Sequence, residues 1–129
     1  MSFMAQAATA YRQAATTVSP MVALVRLYEE TILLIRRTIK AVESKRFEEA
    51  FNCVSKAATI LRGLRASLDY ERGGGLSEML ERMYTANIRA LHTAFGKKDQ
   101  VIRYHKIIGG LTEMRDAWLV VARLPAGQA

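Results

Sequence analysis

The chain has 129 residues, half of them hydrophobic and 24% charged, which is the make-up of one globular domain and excludes a disordered chain. Its single cysteine, Cys53, excludes an internal disulfide framework and a cysteine-rich zinc site, and fits a reducing compartment. Nineteen Lys and Arg against twelve Asp and Glu give a net charge of +7, but the cations fall in small groups such as Arg36-Arg37, Lys45-Arg46 and Lys97-Lys98, and no run approaches the five or so like charges of a binding tail.

Residues 1–18 are rich in Ala, Thr and Gln, with Phe3 and Tyr11 as the only aromatics. Such a segment buries too little to pack by itself and reads as a mobile N-terminal arm. It lacks a basic start followed by an apolar stretch, so no secretory signal is expected. Ser19-Pro20 then marks a helix start. The serine oxygen can accept a free backbone N–H, and proline suits the first helical position, where its missing donor is not needed.

From Met21 to about Ser44, Leu24, Leu27, Tyr28, Thr31, Ile35, Ile39 and Val42 recur at helical spacing. A second helix is predicted from about Arg46 to Asp69, with Phe47, Ala50, Phe51, Val54, Ala57, Leu61, Leu64 and Leu68 in one stripe. Gly73-Gly74-Gly75 forces a turn. A third helix follows from about Leu76 to Phe95, its inward residues being Leu76, Met79, Leu80, Met83, Tyr84, Ile88, Leu91 and Phe95. The fourth runs from near Lys98 to before Pro125, with Val101, Ile108, Leu111, Met114, Trp118 and Val121 inward. Gly109-Gly110 sits inside that helix. Two glycines there cost roughly 1–2 kcal/mol relative to alanines, so a kink or short break is expected.

No stretch alternates with period two, so no strand is expected. Four helices of similar length joined by short turns predict an all-α fold, an antiparallel up-down four-helix bundle. The expected organisation is an arm over 1–18, a bundle domain over 19–124 and a tail over 125–129. The longest apolar runs, Met21–Val25 and Ile32–Ile35, fall far short of the roughly 20 residues that span a bilayer, so membrane insertion is not expected.

Catalytic chemistry is hard to assemble from these residues. His92 and His105 are the only histidines, and neither stands in the Glu-x-x-His or His-Glu-x-x-His spacing that builds bundle metal sites. Neither a metal nor another cofactor is expected. Cys53 lies near an apolar stripe with no base beside it, as a small buried hydrophobe would. Glu71-Arg72-Gly73-Gly74-Gly75 lacks the preceding strand and the Gly-Lys-Ser/Thr ending of a phosphate loop. The chain therefore reads as a non-enzyme. Its methionines suit loosely fitted helical partners, and Tyr28 and Tyr84 suit the edge of a groove. On residue chemistry the protein is a helical binding module.

Four stretches in register then supply a resemblance. Ser19-Pro20-x-x-x-Leu24-x-x-Leu27-Tyr28-Glu29 opens the first helix. Lys56-Ala57, Ile60, Leu64 and Ser67-Leu68-Asp69 lie on the second. The glycine turn is followed by Leu80 and Tyr84, and Arg115-Asp116-Ala117-Trp118 lies in the closing helix. Together they resemble the flagellin-specific export chaperones of the FliS family, and Tyr11 sits about where that family carries an N-terminal tyrosine. The resemblance implies a cytoplasmic chaperone of bacterial flagellum biogenesis and type III secretion. It implies binding of the disordered C-terminal segment of flagellin, prevention of premature polymerisation, and delivery to the flagellar export apparatus. The partner-binding residues so implied are Tyr11, Leu24, Leu27, Tyr28, Leu68, Tyr84 and Ile88. A basic helical nucleic-acid-binding protein is the alternative, favoured by the charge alone. Pairing of two copies as a homodimer stays open.

Overall fold

The computed structural model describes residues 20–123. Ser19, the arm and the tail lie outside the described residues. Among the described residues there are five helices and no strand: α1 (Pro20–Glu43), α2 (Phe47–Ala66), α3 (Tyr70–Gly73), α4 (Gly75–Ala94) and α5 (Gln100–Ala122).

The four long helices pack in a closed ring. α1 lies against α2 and α5, α2 against α4, and α4 against α5. The α1–α2 contact is the most extensive, and the α4–α5 contact is the sparsest of the four. Met21, Val25, Tyr28, Ile32, Ile35 and Ile39 carry the stripe of α1 into a single core. Val54, Leu61, Leu80, Leu91, Leu111 and Trp118 meet it from the other helices. Thr31 and Thr38 are also fully buried; each hydroxyl donates back to the carbonyl one turn earlier, to Leu27 at 2.7 Å and Leu34 at 2.9 Å.

The turns have local causes. Lys45 takes the left-handed conformation at φ 59°, and the Arg46 amide donates to the Ala41 carbonyl at 2.8 Å, closing α1 with a six-to-one bond. The second helix stops at Ala66, three residues before the expected end. Asp69 instead caps α3, its carboxylate accepting the Arg72 amide at 3.1 Å. Gly74 sits at φ 52°, ψ −130°, a conformation open to glycine, and α4 begins directly after it. The Ser77 hydroxyl donates to the Asp69 carbonyl at 2.9 Å and ties the small helix to α4.

Four expected core residues are exposed. Leu27 lies on the shoulder of the α1 stripe, about 100° of helix rotation before Tyr28, and is 41% exposed. Phe47 is the first residue of α2, beyond the covered part of the helix, and Phe51 leans sideways onto Phe95 in an edge-to-face contact at 5.7 Å. Met79 falls about 100° from its inward neighbour Leu80 and remains exposed. Met83, Phe95, Val101 and Met114 are half-buried. Tyr104 and Ile107, outside the expected stripe, are buried. The break expected at Gly109-Gly110 does not occur: α5 is helical throughout Gln100–Ala122. Close packing does not explain the pair either, because a Cβ on either glycine would meet nothing within 4 Å.

Candidate docking groove

α5 departs from the amphipathic pattern of the other long helices. Ile107, Ile108, Leu111 and Val121 face the core, yet Ile102 and Val120 are 62% and 61% exposed. A helix apolar on several sides is usually covered on several sides, and here its contact with α4 is sparse. Between them lies a groove of about 430 Å³ with Ala86, Arg89, Ala90 and Thr93 on one wall and Arg103, Lys106 and Ile107 on the other.

Helical spacing makes this floor. Ala86 and Ala90 stand one turn apart on α4, with Met83 one turn before Ala86. On α5, Arg103, Ile107, Gly110 and Met114 follow at steps of three and four. Ala86, Ala90 and Gly110 project little or no side chain, so a guest chain can approach the backbone closely, while Met83 and Met114 provide adaptable, half-buried surface. The larger cleft between α1 and α2, about 690 Å³, is different in kind. Arg37, Arg46 and Lys56 share it with Glu48 and Glu49, which makes it a solvated, charge-compensated surface.

The charged side chains that line the α4–α5 groove are all cations. Arg103 is held by Asp99 at 2.9 Å, and that pairing keeps the Asp99 carboxyl below its ordinary range. Arg89 and Lys106 are exposed and make no ion pair among the described residues. No carboxylate lines the groove.

Of the residues expected from the sequence to bind a partner, none of the described ones lines this groove. Tyr11 lies outside the described residues. Leu24, Tyr28, Leu68, Tyr84 and Ile88 are buried in the core, and Leu27 is the exposed one. Tyr28 and Tyr84 are not at a groove edge: each is fully buried, and their hydroxyls hydrogen-bond to each other at 2.7 Å. Burial pushes the Tyr28 phenol up to about 12, against a smaller opposing pull from its hydrogen bonds to Tyr84 and Trp118. The groove residues were missed because no one of them is a conspicuous type. The legible signals were the small residues Ala86, Ala90 and Gly110 at helical spacing, and the unbroken spread of apolar residues around α5.

His92 and His105 are exposed, and Cys53 is buried. Among the described residues no group of three or more His, Cys, Asp and Glu converges as a metal site would require, and no helix is long and apolar enough to cross a membrane.

Comparison with known proteins gives two findings. The chain is 27% identical over 100 residues to a protein of Campylobacter jejuni subsp. jejuni named flagellar secretion chaperone FliS, a match spanning 78% of this chain and 77% of that protein. The family described as flagellar protein FliS matches residues 4–124, nearly the whole length, and the chain belongs to that family.

Proposed function

We propose that this protein is a cytoplasmic flagellar secretion chaperone. It binds the disordered C-terminal segment of flagellin, keeps that segment from polymerising early, and passes the subunit to the flagellar export apparatus for type III secretion. The name of the Campylobacter relative supports the chaperone role. The observation that carries the binding mode is the open α4–α5 groove, floored by Ala86, Ala90 and Ile107 along the sparsest of the four long-helix contacts.

The long helices form an antiparallel up-down four-helix bundle, with α3 as a short insert. The connections are short, and along the α2–α4 contact Arg62 meets His92 while Arg65 meets Thr85, so numbering rises on one helix as it falls on the other. A polymerising segment is a helix-former that lacks its final neighbours. Laid in the seam between α4 and α5, its apolar stripe takes the place of a fifth long helix. Ordering a disordered chain costs several kcal/mol, so the groove must be apolar along much of its length. Leu24, Tyr28, Leu68, Tyr84 and Ile88 act from within, by fixing the frame that holds the groove walls.

Only the net charge of +7 speaks for the nucleic-acid reading, and part of that charge is compensated within the chain. Arg46, Arg72, Arg103 and Arg115 are each engaged by a carboxylate of this chain.

The test is binding of full-length flagellin, and of flagellin without its C-terminal segment, to the wild-type chain and to Ala86→Trp. Ala86 is exposed, so the substitution fills the groove without entering the core. Only intact flagellin should bind, and Ala86→Trp should weaken it by about tenfold or more. Equal binding of the truncated flagellin would defeat the client assignment.

A further inference from the structure

We propose that the α4–α5 groove selects amphipathic helices with an acidic flank, and that Arg89 and Lys106 are the selecting charges. This rests on the chaperone reading and adds to it the chemistry of the segment that is recognised.

The argument starts from the two walls. Arg89 stands on α4 and Lys106 on α5, so a helix lying in the groove has a cation on each side. Neither makes an ion pair among the described residues, whereas Arg103 beside them is already paired with Asp99. The floor between is carbon, from Ala86, Ala90 and Ile107. An apolar strip between two unpaired cations complements a helix with an apolar stripe and carboxylates along its edges. Glu113, seven residues after Lys106 on α5, puts a negative charge further along the same face. The acidic flank is therefore required at the Arg89–Lys106 end.

Two other occupants fit less well. A second copy of this chain brings a further net charge of +7 toward a cationic rim. A nucleic acid would match the cations, but no aromatic side chain lines the groove to stack a base.

The experiment uses the full chain and two synthetic 20-residue helical peptides as probes. Both carry the same Leu/Ala stripe; one has Glu on its flanks, the other Lys. Fluorescence anisotropy at about 50 mM salt should give about tenfold tighter binding of the Glu peptide, and the difference should shrink at about 500 mM as the charges are screened. Arg89→Glu with Lys106→Glu should abolish or invert the preference, and Arg89→Gln with Lys106→Gln should reduce it. Both side chains are exposed, and circular dichroism of each variant verifies the fold. Equal binding of the two peptides, or a Glu preference that survives both double variants, overturns the proposal. So does displacement of the Glu peptide by self-association of the chain or by a short single-stranded oligonucleotide. Flagellin adds the separating arm. If its C-terminal segment binds the wild-type chain and the Glu double variant equally, the charge selection fails while the client reading stands. If the Glu preference holds and flagellin does not bind, the selection stands and the client reading fails.

Discussion

The hydroxyls of Tyr28 and Tyr84 meet at 2.7 Å across the middle of the core, joining α1 to α4, two helices that do not pack side by side. Their rings are 6.4 Å apart and tilted by 53°. The bond is a cross-brace between opposite members of the helix ring. Tyr28→Phe should lower unfolding stability by about 1–2 kcal/mol, the range for losing a buried hydrogen bond. A double-mutant cycle with Tyr84→Phe, read by denaturant melts, should show coupling. Additive effects would mean that the two hydroxyls do not support one another.

The same burial makes the fold sensitive to alkali. The phenols of Tyr28 and Tyr104 are both pushed up to about 12 by burial. In the unfolded chain each ionises near 10. The unfolded state thus releases protons first, and the native state binds more of them between these values. The stabilising contribution is complete below about pH 10 and is lost as pH rises toward 12. Melting temperature should decline across that window, and Tyr104→Phe should make the decline shallower.

Tyr104 is buried without the compensation that Tyr28 has. Its hydroxyl has no hydrogen-bond partner among the described residues. Tyr104→Phe removes a desolvated polar atom while keeping the ring. Stability should stay level or rise by up to about 1 kcal/mol. A loss as large as that of Tyr28→Phe would show that the hydroxyl is satisfied in solution.

Gly109 and Gly110 lie in an unbroken helix with free space where their Cβ atoms would be. Gly109→Ala and Gly110→Ala should each stabilise the protein by about 0.5–1 kcal/mol. Gly110 is on the groove face of α5, so its alanine should also weaken client binding more than that of Gly109. Destabilisation by either substitution would point to a close neighbour at this position.

Leu61 and Leu27 separate core from surface. Leu61 is fully buried and Leu27 is 41% exposed. Leu61→Ala should cost about 2–5 kcal/mol, and Leu27→Ala less than about 1 kcal/mol. Similar losses at the two positions would mean that Leu27 is covered in solution.

Much of the fold is legible in the chain because helical periodicity and turn chemistry are local. Pro20 begins α1, the chain turns at Gly74 within the glycine run just before α4, and Leu61, Leu80 and Trp118 point inward as their spacing requires. Family membership was legible for the same reason, since the resemblance rests in part on Leu24, Leu68, Tyr84 and Trp118, side chains that helical spacing turns into the core. Tertiary structure decided what periodicity cannot express. A stripe about one helix face wide does not say which of its shoulders a neighbour covers, and so Leu27, Phe47, Phe51 and Met79 are exposed while Tyr104 and Ile107 are buried. Nor does a glycine pair reveal whether the surrounding helix survives; continuous hydrogen bonding in α5 carries it through. The groove depends on the spacing between α4 and α5, a distance set by the packing of all four long helices together. Its small floor residues and the unpaired charges of Arg89 and Lys106 acquire meaning only when those two walls face each other.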